Sequence, residues 1–368
     1  MNWVLQREQL LKPLQLVANI ADKRHVNPIF SHVLFAIKDN QLIIAGTDGE
    51  IELVGNLLLE NSCPTFSVTL PARKLLDICR SLPENAMIEF KQEVAKVIVR
   101  SGKSRFTLSS LPAEQFPKLP SENWQIELSL LPVQLRAAIE KTQYAMAQQD
   151  YREYMNGMFL EINDDIINMV ATDGHRMSVT KIQHQMNQNQ KVQLLLPRKT
   201  VSELLKIISE EDGTITLSAS QQQIQLKTKQ YEFTSRLLDC KFPDYGRALP
   251  PVQEAFSASC DRDLLKHALL RVSILSNEKN RAARFLFKNN GLSISTNNPD
   301  QEEAEEELDI HYAGPEMEVS FNVVYIMDFL NAVPPGEVTL RLNNPKMSVM
   351  FEGVNVDAQN IYVLMPRI

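Results

Sequence analysis

The sequence predicts an α+β protein in which one domain plan is written three times. Three observations carry that expectation. The segments FAIKDNQLIIAGTDGE (35–50), FLEINDDIINMVATDGH (159–175) and FLFKNNGLSISTNNPD (285–300) each read as an alternating apolar run, a turn cluster and a second run ending on threonine. The closing residues Thr47, Thr172 and Thr296 stand 125 and 124 positions apart. A second landmark keeps the period: SVTLPARKLLDICRSL (67–82), QLLLPRKTVSELLKII (193–208) and VSFNVVYIMDFLNAV (319–333) pass from strand to helix at Pro71, Pro197 and Asn322, 126 and 125 apart. The third is an amphipathic helix at the head of each copy.

Taken in order, the head helices are REQLLKPLQLVANI (7–20), LPVQLRAAIEKTQYAM (131–146) and CDRDLLKHALLRVSIL (260–275), the first with Pro13 in its early part. In the last of these, Leu264, Leu265, Ala268, Leu269 and Val272 recur at helical spacing and predict one buried face. The hairpin follows, with turns at Lys38-Asp39-Asn40, Asn163-Asp164-Asp165 and Lys288 to Gly291. Then comes the second helix, opened by proline because a first-turn N–H has no helical partner to lose. A meander of short strands such as TITLSASQQQIQLKTKQYEFTSRLL (214–238) closes each copy. The predicted domains are 1–122, 123–252 and 253–368, each with two helices packed on antiparallel sheets of about eight strands. The links FPKLPSENW and FPDYGRALPPVQE are short and proline-bearing. Neighbouring domains that pair their sheets edge to edge form a crescent and hide open strand edges.

The bulk numbers fit this plan. A chain of 368 residues exceeds one ordinary core. Hydrophobic content of 44% and charged content of 23% are those of a globular protein. The start MNWVLQREQLL lacks a signal-peptide pattern and no run suits a bilayer, so a cytoplasmic protein with no membrane partner is expected. Cys63, Cys79, Cys240 and Cys260 are scattered and read as reduced thiols, not zinc ligands. No metal and no cofactor are expected.

The net charge of −7 is unevenly spread. The six helical stretches (7–24, 71–82, 132–154, 198–209, 260–284 and 322–332) sum to +8, leaving −15 for strands and loops. Such separation predicts helices that face phosphate, since binding follows the local field. Six helices spaced ~9 Å apart close a circle only ~17 Å across, whereas twelve reach ~35 Å and admit a duplex of ~20 Å with water. A ring around DNA therefore needs two copies. The strand pair AKVIVRSGKSRFTLSS (95–110) offers Lys96, Arg100, Lys103 and Arg105, with Phe106 and Leu108 for apolar area. The segment NNPDQEEAEEELDI (297–310) offers Glu302, Glu303, Glu305 and Glu306 among its acids, and Ile274 and Leu275 add apolar area on the domain 3 side. Head-to-tail contact of a basic and an acidic edge closes a dimer.

ATDGHRM (171–177), ILSNEK (274–279), NNPDQEEAEE, SFNVVY and YVLMPRI resemble the bacterial DNA polymerase III β subunits, the sliding clamps. The resemblance runs from QREQLLKPL to the last residue. It implies a homodimeric ring of six domains, helices lining the hole, that tethers the replicative polymerase to duplex DNA without sequence preference and without a reaction of its own. Positions matching DNA-facing ones are Arg24, Arg73, Arg80, Gln149, Arg152, Tyr154, Arg198 and Lys199, with Lys279, Arg281 and Arg284 on the helix-end loop of domain 3. Glu153-Tyr154 stands where the family commonly has two tyrosines. The resemblance also implies a pocket between domains 2 and 3. Partners (the polymerase α subunit, the clamp loader, other polymerases and repair proteins) insert there a linear motif with glutamine and aliphatic or aromatic anchors. Matching positions are Met155, Thr172, Gly174, His175, Arg176, Met177, Pro243, Arg247, Ala248, Asn322, Tyr325, Ser348, Val363, Leu364, Met365, Pro366 and Arg367. Removing 364–368 is expected to abolish peptide binding and spare the ring.

Two other classes compete with this reading. Asp173 and His175 suggest acid–base chemistry, but no nucleophile or metal motif accompanies them. SGKS (101–104) has the ending of a phosphate-binding loop, with Val97 where its first glycine belongs. The alternative to a clamp is an open protein–protein adaptor that does not encircle DNA.

Overall fold

A computed structural model describes residues 2–21, 25–59, 65–163, 165–184, 191–209, 211–251, 255–277, 281–353 and 360–367. One element order recurs three times. The first copy runs β1 (Asn2–Gln6), α1 (Arg7–Ile20), β2 (His32–Lys38), β3 (Gln41–Thr47), β4 (Ile51–Leu58), β5 (Phe66–Pro71), α2 (Ala72–Ser81), β6 (Met87–Glu93), β7 (Lys96–Ser101) and β8 (Ser104–Ser109). The second is β9 (Ile126–Leu130), α3 (Pro132–Glu140), β10 (Gly157–Asn163), β11 (Ile166–Thr172), β12 (Arg176–Gln183), β13 (Val192–Pro197), α4 (Arg198–Ile208), β14 (Ile215–Ala219), β15 (Gln223–Lys227) and β16 (Tyr231–Arg236). The third is β17 (Phe256–Asp261), α5 (Arg262–Ser273), β18 (Ala282–Lys288), β19 (Gly291–Asn297), β20 (Glu303–Asp309), β21 (His311–Tyr312), β22 (Met317–Asn322), α6 (Val323–Ala332), β23 (Glu337–Leu342), β24 (Val349–Gly353) and β25 (Asn360–Leu364). Among the described strands and α-helices, β21 alone has no counterpart in the other copies.

The chain packs as two compact units, residues 1–133 with 202–237 and residues 134–201 with 238–368. These units cut through the second repeat. In the first unit, one sheet has the order β5-β2-β3-β4-β16-β15-β14-β9 and a smaller one β1-β6-β7-β8. In the second, the orders are β13-β10-β11-β12-β25-β24-β23-β17-β21 and β20-β19-β18-β22. The long sheets arise because strands of different repeats pair edge to edge. Glu52 lies opposite Thr234 across β4 and β16, and Met177 opposite Val363 across β12 and β25. Expected edge pairing therefore occurs at both repeat boundaries, while β8 and β20 remain at the ends of their sheets.

Helix entries follow their first residues. Asp261 caps α5 by accepting from the amides of Asp263 (2.8 Å) and Leu264 (2.9 Å). Asn322 caps α6 by accepting from Val324 at 3.0 Å, which supplies the start that proline supplies in the other copies. Pro13 lies buried inside α1, and the helix continues because Leu10, Leu14, Val17 and Ile20 are fully buried along one side.

Three local expectations are corrected. The head helix of the second copy stops at Glu140, with a separate short turn at Gln143–Ala145. The Lys141 carbonyl accepts from the Ser178 hydroxyl at 2.6 Å, and the Thr142 hydroxyl lies within hydrogen-bond distance of Ala138 O (2.8 Å) and Thr180 Oγ1 (3.0 Å), so strand β12 takes up groups that a longer helix would use. In the third copy the helix ends at Ser273, and Leu264, in its first turn, is 58% exposed while Leu265, Ala268, Leu269 and Val272 are buried. Arg284 lies on β18 and not on a helix-end loop.

Candidate functional site

The repeated Thr-Asp-Gly caps itself. Thr172 Oγ1 accepts from Gly174 N at 3.1 Å, and Asp173 Oδ1 accepts from the amides of His175 (2.9 Å) and Arg176 (3.0 Å). In the first copy Thr47 and Asp48 make the same contacts to Gly49, Glu50 and Ile51. Gly174 and Gly49 have φ of 87° and 92°, a region side chains disfavour, so both copies need glycine. Only the second copy places arginine next. Arg176 pairs with Asp173 (3.0 Å) and Asp328 (2.6 Å), donates to the Tyr144 carbonyl (2.6 Å), and lies 4.3 Å over the Tyr325 ring. Asp173 is thereby committed to the turn and to Arg176.

Beside this turn the second unit holds an apolar cavity of about 320 Å³. Tyr154, Met155, Thr172, Gly174, His175, Arg176 and Met177 line it on one side. The link residues Phe242, Pro243, Asp244, Tyr245, Arg247 and Ala248 line another, and Ser348, Val363 and Met365 complete it. Below lies an aromatic cluster. Phe159 stacks on Phe242 (centroids 4.6 Å, interplanar 6°), and Tyr154 meets Phe242 edge-on. Apolar walls with a few polar rim groups suit aliphatic or aromatic anchors of a peptide, and methionines let the walls repack around different anchors. Arg152 lies beside the turn, held by Asp150 at 2.9 and 3.0 Å; these hydrogen bonds lower the Asp150 carboxyl pKa to about 2.

The first repeat shows why the site is not simply triplicated. Its equivalent outer cluster comprises Ile29, Leu34, Ala45 and Phe116, with Phe30 and Val54 against it. A Cβ at Gly49 would meet the Phe30 ring, where one at Gly174 would meet the flexible end of Met155. Glu52 stands where Met177 stands in the second copy, and its carboxylate accepts from Leu119 N at 2.9 Å. Polar capping there ties the link to the sheet.

Comparisons with known proteins now bear on this geometry. Residues 1–120, 130–244 and 247–367 match the N-terminal, central and C-terminal domain families of the DNA polymerase III beta subunit. The chain belongs to the DNA polymerase III beta subunit family. The beta sliding clamp of Pseudomonas aeruginosa is 42% identical over 366 residues, covering 100% of this chain and 99% of its own length. That of Escherichia coli K12 is 41% identical over 367 residues with the same coverage. The crystal structure of the P. aeruginosa beta subunit superposes with a TM-score of 0.94 at 42% identity, covering 100% of both chains. A second P. aeruginosa clamp structure, bound to griselimycin, gives a TM-score of 0.96 at 42% identity, covering 100% of this chain and 99% of that one. Beta-subunit members are sliding clamps, and this disfavours the open adaptor.

Within this beta-subunit chain, twelve of the expected pocket residues line the cavity: Met155, Thr172, Gly174, His175, Arg176, Met177, Pro243, Arg247, Ala248, Ser348, Val363 and Met365. Five do not. Asn322 caps α6, and Tyr325 carries the Arg176 guanidinium. Leu364 is fully buried in the core, so deleting 364–368 removes a core side chain and is not the clean test expected. Arg367 donates its amide to the Ser320 carbonyl at 2.8 Å, and Pro366 precedes it in the tail. Sequence reading missed Phe242, Asp244 and Tyr245 in the link, and Tyr154, expected to face DNA, also lines the cavity. The apolar and aromatic run FPDY was the available signal.

The expected DNA-facing residues divide. Arg73 and Arg80 are exposed on α2, Arg73 beside Asp77 at 3.3 Å. Gln149 and Lys199 are exposed, as is Arg281. Arg198 donates to the Met146 carbonyl at 3.0 Å, and Arg152 is held by Asp150. Arg284 pairs with Glu318 (3.4 Å) on the sheet face that corresponds in register to Phe159 in β10. Arg24 and Lys279 lie outside the described residues, as does Cys63. On the edges, Lys96, Arg100, Lys103 and Arg105 are exposed and Phe106 is half-buried, but Leu108 is buried in its own chain. Ile274 is exposed and Leu275 half-buried. Glu302 and Glu303 are exposed; Glu305 accepts from Ser293 Oγ (2.7 Å), and Glu306 is gripped by Arg271 at 2.6 and 2.7 Å.

Proposed function

We propose that this protein acts as a DNA sliding clamp whose cavity beside Gly174 receives short linear motifs of the replicative polymerase and other clamp-using proteins. The observation that carries the reading is the apolar, methionine-walled cavity beside the self-capped turn, in a chain that aligns over its whole length with a beta sliding clamp. Two copies would close head to tail. Arg100 and Arg105 face each other across β7 and β8, a like-charge pair that is unfavourable without an anionic partner. The acidic strand β20 supplies that partner, and both β8 and β20 are sheet-terminal. Exposed Arg73, Arg80, Lys199 and Arg281 would meet phosphate without reading bases, which permits sliding. The protein needs no catalytic site for this role, and its expected compartment is the cytoplasm. Among the described residues no helix is long and apolar enough to cross a membrane.

The pocket reading is tested by fluorescence anisotropy with a labelled peptide carrying glutamine, aliphatic and aromatic anchors. Wild-type protein should bind it, and Met365→Glu, at a half-exposed wall position, should weaken binding more than about tenfold by setting a carboxylate against apolar anchors. Equal binding by both proteins rejects the assignment.

A further inference from the structure

We propose that Glu161 is a positioning residue for the peptide pocket, fixing through Tyr245 the turn that forms one of its walls. This inference rests on the peptide-binding reading above. Glu161 lies mid-way along β10, on the same sheet face as Phe159, and is only 8% exposed. Strand register places Ala36 and Leu286 at the equivalent positions of the other repeats. A buried carboxylate is therefore no requirement of the shared fold. Burying one is costly unless its oxygens are satisfied. Here Oε1 accepts from Lys191 Nζ and Gln193 Nε2, each at 3.0 Å. Oε2 accepts from the Tyr245 hydroxyl at 3.0 Å and from Asn168 Nδ2 at 3.4 Å.

What the carboxylate holds gives the arrangement its consequence. Tyr245 opens the short turn Tyr245–Ala248, within the link between the second and third repeats. That turn presents Tyr245, Arg247 and Ala248 to the cavity. Its other polar contacts are local: Asp244 accepts from Gly246 N (3.1 Å) and Arg247 Nε (3.2 Å). The Tyr245 hydroxyl is the side-chain hydrogen bond that ties the turn to the sheet, and its ring meets Phe159 edge-on at 6.2 Å. Burial works against the ionised Glu161, but Lys191, Gln193 and Tyr245 outweigh it and hold the carboxyl below its ordinary value. Burial and Glu161 together raise the phenol of Tyr245, which stays a donor. A phenol donating to an ionised acceptor makes a charge-assisted hydrogen bond. A wall held in place before binding spares the peptide the cost of ordering it.

The test measures anisotropy of the same labelled peptide with wild type, Tyr245→Phe, Glu161→Gln and the double variant, each with a thermal melt. Each single variant should bind about three- to tenfold more weakly, and the double variant no more weakly than the singles, because both changes remove one link. A purely structural role for Glu161 would lower the melting temperature and leave peptide affinity alone. Affinities within twofold of wild type, or losses that multiply in the double variant, overturn the proposal. If Glu161→Gln does not fold, Tyr245→Phe alone decides on the same criterion. Failure of wild type to bind rejects the pocket reading instead. The positioning claim is then judged by ¹⁹F NMR of 3-fluorotyrosine placed at position 245: Glu161→Gln should move its resonance toward that of free fluorotyrosine, and an unmoved line overturns the claim.

Discussion

Arg176 Nη1 lies 2.6 Å from Asp328 Oδ2, joining the second repeat's hairpin to helix α6 of the third. The arginine side chain is 9% exposed and is further held by Asp173 and the Tyr144 carbonyl. Asp328→Ala leaves one donor of a nearly buried cation without its partner. Because Asp328 is itself a third exposed, solvent screens part of the effect, and the expected loss is about 1–2 kcal/mol. Urea unfolding of the variant checks this, and peptide affinity should fall with it because Arg176 lines the cavity.

Gly174 and Gly49 form an internal control. Both adopt left-handed backbone in the same self-capped turn, so alanine at either should cost about 1–2 kcal/mol. Only Gly174→Ala places a methyl against Met155 and Arg152. Melting temperatures should fall for both variants, and peptide binding should weaken for Gly174→Ala alone.

His32 gives a pH dependence with a defined sign. Burial, aided by the charge of Lys74, lowers its pKa below 6.5 in the folded chain, and Nδ1 lies 3.2 Å from Thr69 Oγ1. Below pH 6.5 the unfolded chain takes up a proton that the folded chain refuses, so this contribution to stability is full above that pH and declines as pH falls. His32→Gln should flatten the fall in melting temperature between pH 6.5 and the lowered folded value. Parallel slopes for the two proteins would contradict the assignment.

Dimer closure should depend unequally on the edge residues. Arg105→Glu combined with Phe106→Ala should yield monomers in sedimentation, since Arg105 is exposed opposite Arg100 and Phe106 is half-buried. Glu303→Lys should also weaken the dimer. Glu306→Ala should do less, because Glu306 already has an intrachain partner in Arg271.

The repeat was legible because its marks are backbone-imposed: glycine where φ is positive, proline or asparagine where a helix starts, threonine where a hairpin ends. Edge pairing could be anticipated from exposed strand edges, but its division of the second repeat between two compact units could not, since partner choice among similar strands leaves no local trace. Helix ends failed where side chains of distant strands intervene, as Ser178 does at Lys141. The pocket's turn was readable from TDGHRM, and Pro243, Arg247 and Ala248 of its link wall from the family resemblance; Tyr245 was not, because its hydroxyl is bonded to Glu161, 84 positions away. Charge counts also could not show that Arg152, Arg198 and Arg284 have intrachain partners at 2.9, 3.0 and 3.4 Å.

The central claim is topological linkage to DNA, and retention on circular versus linear duplex measures it most directly. Protein loaded by a clamp loader onto nicked circular DNA and passed through a sizing column in high salt should remain with the circle. Cutting the circle once should release it, because a closed ring slides off free ends while phosphate contacts alone are screened. Release from the intact circle at the same salt, or equal retention after the cut, would contradict the account.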